Sequence, residues 1–210
     1  RSKMLRSFFK VPKSVIDKGR KEKKQQTVGN LNTLQALKTT IVRYQDVLEA
    51  LDFSKITPET LGRPNPTEKV GSFAQKSLKK WLGIAPFAAH LGKQYPASLM
   101  KKVIDELAKE NDYQIFLFGA PNEQNKLKDL AGDNNEVTIV AGKLSFGDQI
   151  NFIGQLDAMI SMDSGNGHLA AMYGVPTITL WGVTHPVLGF APFGQEEHTL
   201  ISDRTKYPRL

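Results

Sequence analysis

The sequence predicts a doubly wound α/β fold, on three observations. After Lys80, short runs recur that are apolar throughout: WLGIAPF, YQIFLFG, VTIVAG, AMISM, TITLWG and a weaker HTLIS. Amphipathic stretches of about ten to fifteen residues separate them, as helices separate strands in βαβ units. Helix punctuation sits where it should, with Pro96 and Pro121 opening two stretches and Gly132 closing one. Strands apolar on both faces, with helices between them, imply a parallel sheet covered on both sides.

The elements follow in order. Residues 1–24 hold ten Lys or Arg against Asp17 and Glu22, a net of +8, so the rest of the +7 chain stands at −1. Such a block either attracts phosphate-rich partners (nucleic acid, anionic lipid, a phosphorylated glycolipid) or is a solvated helix face. Leu34, Leu37, Ile41, Tyr44, Leu48 and Leu51 recur at alternating three- and four-residue steps. That spacing predicts one helix of about six turns, with Asn30 or Asn32 as its cap. Between Ser54 and Lys80 the apolar period vanishes and Pro58, Gly62, Pro64, Pro66 and Gly71 accumulate, which reads as a connection. The first helix after Lys80 carries Leu99, Val103, Ile104 and Leu107, and the second runs from Pro121 to Gly132.

Composition bounds the function. The 210 residues, 40% hydrophobic and 9% aromatic, suit a globular protein of one good core or two small ones. No run approaches the roughly 20 apolar residues of a membrane-spanning helix, and none has the layout of a signal peptide. With no cysteine there is no disulfide and no thiolate metal site. The expected compartment is the cytoplasm. The chain opens at Arg1 in what reads as mid-helix, so it is expected to be part of a longer protein.

In doubly wound sheets ligands bind beyond the carboxyl ends of the strands. Four strand-end loops therefore matter: 87–96, 119–123, 142–145 and 163–168. They are expected to converge on one edge. The last opens into Gly165-Asn166-Gly167-His168-Leu169-Ala170, the G-x-G-x-x-A pattern of a dinucleotide site. It falls in the fourth strand–helix unit instead of the first, and no acid follows between Ser164 and Gln195, so a dehydrogenase is disfavoured. The turn has two readings. Gly165 and Gly167 let the backbone approach an anion held by free helical N–H groups, or Asp163 or Ser164 simply caps the helix and glycine relieves crowding. His168, in the first turn, either faces that ligand or packs. Met162 occupies the glycine position of a nucleophile elbow, and the four histidines are scattered, so neither a hydrolytic triad nor a metal centre is expected. Lys93, between Gly92 and Tyr95-Pro96, is a mobile point charge suited to phosphate in a second loop of the same edge.

Asp163-Ser164-Gly165-x2-His168-Leu169-Ala170-Ala171, then Gly174-Val175-Pro176 and Leu180-Trp181-Gly182, resembles the signature of glycosyltransferase family nine, the ADP-heptose:lipopolysaccharide heptosyltransferases. Lys93-Gln94-Tyr95-Pro96 resembles its Lys-x-Trp-Pro element with Tyr for Trp; Gly119 followed by Glu123, and the pair Arg43-Tyr44, add support. The resemblance covers Lys80 to about Phe193 well and the first 55 residues loosely.

The resemblance implies a Rossmann-like GT-B enzyme of two facing domains. Residues 1–53 would be the helical tail of the N-terminal acceptor domain, 54–80 a linker and 81–210 the donor-binding domain, cut short after Ile201. It implies inverting transfer of a heptose or related sugar from an ADP-sugar to a lipopolysaccharide core acceptor. Lys93 would stabilise the leaving diphosphate together with the backbone N–H groups of Ser164 and Gly165. Asp163 and His168 would contact sugar or phosphate, Glu123 the adenosine side, and Leu144 the base pocket. The general base would lie in the acceptor domain. No metal and no cofactor are expected, the ADP-sugar being a substrate. Residues 1–24 would meet the inner-membrane surface and the phosphates of lipid A. Two other readings are a noncatalytic nucleotide-binding module and a basic nucleic-acid-associated protein, the latter lacking any helix-turn-helix, RRM or OB pattern.

Overall fold

A computed structural model describes residues 8, 10–28, 34–54, 65, 67–74, 78–203 and 206. Arg1, Lys3 and Arg6 of the basic block, the cap candidates Asn30 and Asn32, Pro58, Gly62, Pro64 and Pro66 lie outside the described residues. The chain divides into two compact units, residues 1–57 with 187–189, and residues 58–186 with 190–210.

The first unit holds α1 (Arg20–Val28) and α2 (Thr40–Glu49). The helix expected across 34–51 is thus shorter than its apolar spacing. Its physical cause is the backbone before it: Leu37 N donates to Val187 O and Thr40 N to Gly189 O, both at 2.8 Å, so residues 37–39 pair with another strand of chain instead of coiling. Thr39, extended at φ −65° and ψ 155°, then caps α2 by accepting from Val42 N. Gly189 stands at φ +82°, where a Cβ would lie 2.7 Å from Lys38 O. Of the predicted stripe, Tyr44 is 55% exposed, whereas Arg43 is buried at 4%. Its guanidinium donates to Lys38 O (3.0 Å), Asp17 O (3.2 Å) and Glu22 Oε2 (2.6 Å), which fastens the basic segment to α2. Gly19, at φ +60°, leaves room for that guanidinium.

The second unit is the sheet. Inside the expected connection, Glu68–Phe73 forms α3, capped by Thr67. Val70 is 1% exposed and Phe73 packs beside it, because two apolar residues three apart supply one face to the core. Then follow β1 (Lys80–Ala85), α4 (Ala97–Lys109), β2 (Tyr113–Leu117), α5 (Gln124–Ala131), β3 (Val137–Ile139), α6 (Phe146–Ile153), β4 (Ala158–Met162), α7 (Gly165–Met172), β5 (Thr177–Trp181) and β6 (Thr199–Ile201). Every apolar run named above is a strand. The order is β3-β2-β1-β4-β5-β6 and all pairs are parallel.

Strand residues alternate between two cores, as the period of two requires. Trp81, Ala85, Phe116 and Phe118 face one core with Phe152, Leu156 and Met159. Leu82, Ile84, Ile115 and Leu117 face the other with Met100, Ile104 and Leu127. Phe152 is the hub of the first: its ring lies edge-on to Trp81 at 5.3 Å and Phe116 at 4.8 Å. Truncating such a residue costs about 3–5 kcal/mol. In α4 the buried face is Met100, Ile104 and Ala108, so Leu99 and Val103, expected inside, are 39% and 37% exposed. The inward stripe is centred one residue further on than the larger side chains suggested. Strand order reverses between β1 and β4, where Ala85 pairs with Ser161. A crevice for a ligand belongs at that switch point.

Candidate functional site

The loop after β1 leaves the sheet through Pro86 and makes a 3-10 turn at Leu91–Lys93. Gln94 Nε2 donates to Ala88 O at 2.6 Å and closes the loop on itself. The loop after β5 lies against it, with Val183 N donating to Gly92 O at 3.0 Å. That approach requires glycine at 182, since a Cβ there would collide with the Gly92 carbonyl oxygen.

This scaffold brings Lys93 to Asp163. Nζ lies 2.6 Å from Oδ2, joining the loops after β1 and β4 across the switch point. The Asp163 side chain is 9% exposed and that of Lys93 26%. A third loop contributes Thr184, whose hydroxyl donates to the same Oδ2 at 2.8 Å. Thr184 was not among the residues expected from sequence; a lone threonine in a loop carries no spacing signal.

Beyond Asp163 the chain turns directly into α7. Ser164 is extended, at φ −147° and ψ 168°, and its side chain does not cap the helix. Ser161 Oγ donates to Met162 O at 2.7 Å, so in the 3.1 Å contact between the two hydroxyls Ser164 is the donor. Asp163 is held by Lys93 and Thr184. The capping alternative thus has no side-chain bond behind it, and the first N–H groups of α7 keep the partial positive charge of a helix start. The two glycines have different reasons. A Cβ at Gly167 would sit 3.1 Å from Ser161 Oγ, so this glycine relieves crowding between helix and strand, the second of its two readings. Gly165 has nothing within 4 Å of such a Cβ and borders open space.

His168, half-buried on the first turn of α7, shares this electrostatic neighbourhood. Burial pushes its imidazole below the ordinary 6.5, the Asp163 carboxylate pulls it up and the Lys93 ammonium lowers it again. The net direction favours the neutral imidazole.

Glu123 and Leu144 belong to the β2 and β3 loops. Glu123 Oε2 accepts from Ala120 N at 2.7 Å, closing the loop after β2. Gln124 Nε2 donates to Ala141 O at 3.0 Å and ties that loop to the exit of β3. Leu144 packs on the Phe152 core as a partly buried residue. At the start of α6, Ser145 caps Asp148 N at 3.2 Å. Of the residues expected from sequence, Lys93, Asp163, Ser164, Gly165 and His168 therefore gather at the switch point. Glu123 and Leu144 stand in its β2–β3 flank.

A basic side chain, a carboxylate and a helix start with free N–H groups can together hold an anion and orient a polar ligand beside it. The model of glycosyltransferase family 9 (heptosyltransferase) matches residues 19–210. Among solved structures, a glycosyl transferase family 9 protein from Veillonella parvula superposes at TM-score 0.66 and 20% identity, over 79% of this chain and 49% of that one. The heptosyltransferase WaaC of E. coli with ADP gives TM-score 0.59 and 21% identity, over 76% and 48%. The E. coli ADP-heptose lps heptosyltransferase II gives 0.56 and 21%, over 85% and 59%. At such identities the likeness is one of fold, and the chain spans about half the length of these structures. A search of curated proteins finds no match.

Proposed function

The chain belongs to glycosyltransferase family 9, and from that premise we propose that it forms the nucleotide-sugar half of a heptosyltransferase with GT-B architecture. Residues 81–210, with the packed helix α3, would be the donor domain, residues 1–53 the tail of the acceptor half, and the intervening chain the link. The donor is an ADP-sugar, a reading supported by solved structures of WaaC with ADP and with ADP-2-deoxy-2-fluoro heptose.

The reaction is displacement with inversion. The anomeric carbon–oxygen bond to the diphosphate breaks, an acceptor hydroxyl oxygen bonds to that carbon, and the hydroxyl proton goes to a base of the acceptor half. Negative charge grows on the departing ADP. Lys93, once turned from Asp163, and the N–H groups of Ser164 and Gly165 would face that charge and lower the barrier without a metal ion. Asp163 and neutral His168 contact the sugar or its phosphate. Glu123 serves the adenosine side and Leu144 the base.

The observation that carries this reading is the 2.6 Å Lys93–Asp163 pair beside the uncapped start of α7. Calorimetry tests it: ADP binds in preference to UDP, and Lys93→Ala weakens ADP about tenfold or more, the usual scale for a charge-assisted contact. Equal binding of the two nucleotides, or an indifferent Lys93→Ala, overturns it. Because the chain spans about half of the related structures, a second reading is a nucleotide-binding module without catalysis. Transfer assays on the protein with an acceptor half present distinguish the two.

The acceptor we propose is a lipopolysaccharide core, reached at the cytoplasmic face of the inner membrane. The cationic residues of 1–24 support this, since anionic surfaces attract each basic residue by about 1 kcal/mol. Binding to anionic vesicles drops when Lys18, Arg20, Lys21, Lys23 and Lys24 are neutralised. Unchanged sedimentation with the vesicles removes the membrane from the proposal.

A further inference from the structure

The Asp163 carboxylate receives two donors on one oxygen, and they differ in kind. Lys93 sits on a long flexible stem with 26% of its side chain exposed, in a loop. Thr184 is β-branched and stiff at χ1. It follows a backbone segment clamped by the Val183 N to Gly92 O bond and by the close approach of Gly182 to Gly92. Lys93 can leave; Thr184 is held.

A diphosphate at the start of α7 competes with Asp163 for Lys93. When the ammonium turns to it, a carboxylate that is 9% exposed loses its counter-charge. Leaving a buried charge without a partner opposes binding. We propose that Thr184 is a positioning residue that keeps the Asp163 carboxylate in place and hydrogen-bonded while Lys93 transfers to the anionic ligand. This rests on the nucleotide-sugar reading of the site and adds a residue to it. The hydroxyl makes the lysine exchangeable. Asp163 can then stay at its post for the sugar while Lys93 moves to the phosphate.

Two experiments test this, one with ligand and one without. In ADP calorimetry on the full chain, Thr184→Val binds about tenfold more weakly than wild type, the scale of a lost hydrogen bond to a charged group, and Thr184→Ser restores affinity. In an Asp163→Asn background the same Thr184→Val change shifts affinity by less than about twofold, because a neutral amide does not need the second donor. A purely packing role predicts the reverse, with no rescue by Ser and additive effects, and either result overturns the proposal. The ligand-free experiment uses Lys93→Ala to imitate the departed lysine. In its crystal structure Asp163 Oδ2 remains within hydrogen-bonding distance of Thr184 Oγ1, and in Lys93→Ala with Thr184→Val the carboxylate turns away. A carboxylate already turned away in Lys93→Ala alone refutes the inference. If wild type binds neither ADP nor UDP, the nucleotide reading fails on its own and the crystal structures decide the role of Thr184.

Discussion

The two flanks of the strand ends use similar side chains differently. On the β2–β3 flank, Glu123 closes its own loop through Ala120 N and Gln124 bridges to Ala141 O, so both polar groups are committed to backbone. On the β1–β4–β5 flank, Lys93, Asp163 and Thr184 bond side chain to side chain, beside a helix start that no side chain caps among the described residues. A carboxylate that satisfies backbone mainly stabilises a loop. One that holds an ammonium can exchange it for a ligand. Polar side chains thus hold loop shape on one flank and pair with one another on the other, where the anion site is proposed.

The sharpest way to break that contrast is Gly182→Ala. Its methyl would collide with the Gly92 carbonyl, a backbone atom that cannot swing aside, and would push the Lys93 turn off its seat. ADP affinity is expected to fall at least as far as in Lys93→Ala, with a stability loss of about 1–3 kcal/mol from overpacking. Calorimetry and urea unfolding read the two effects. Retained affinity would show that the β5 loop does not set the position of Lys93.

A smaller effect is expected from Glu123→Ala. It removes one loop hydrogen bond, worth about 1 kcal/mol of stability, and the contact proposed on the adenosine side. ADP should weaken several-fold while pyrophosphate is unaffected, whereas Lys93→Ala weakens both. If Glu123→Ala weakens pyrophosphate as much as ADP, the two flanks are not separate in function.

The smallest effect concerns pH. The folded pKa of His168 lies below its ordinary 6.5, so in acid the unfolded chain takes up a proton that the folded chain refuses. The contribution of His168 is fully present above the unfolded pKa and is lost as pH falls below about 6.5 towards the folded value. Denaturant midpoints should show wild type losing stability faster than His168→Gln across that interval. Parallel curves would mean that the ring is not titrating in a buried setting.

How much of this was legible in the sequence differs by element. All six strands could be read, because a strand buried on both faces must be apolar throughout, whereas α6 was not named and the described chain between β5 and β6 holds a 3-10 turn at Pro186–Leu188 in place of an α-helix. Lys93 and Asp163 could be named separately from their strand-end positions. The helix over 34–51 was read too long, because spacing records which side chains are apolar but not that Leu37 and Thr40 have backbone partners at Val187 and Gly189. Thr184 gave no signal, since one hydroxyl in a loop has no period and no spacing partner. Gly167 was left between ligand approach and relief of crowding because the neighbour that decides it, Ser161, touches it only once α7 packs on β4.

The sequence by itself determined the class of fold, the sheet edge at which the strand-end loops lie and the residue types those loops carry. These follow from local properties: burial period, helix punctuation, and glycine beside a helix start. Only the tertiary structure decided the order β3-β2-β1-β4-β5-β6, which puts the loops of β1 and β4 side by side and brings in the loop of β5. Residues 70 apart thereby meet at 2.6 Å, and a third, 21 beyond Asp163, joins them. Strand pairing is a contest among distant segments of nearly equal apolarity. The winner depends on how both faces of the sheet pack at once, which no local pattern records.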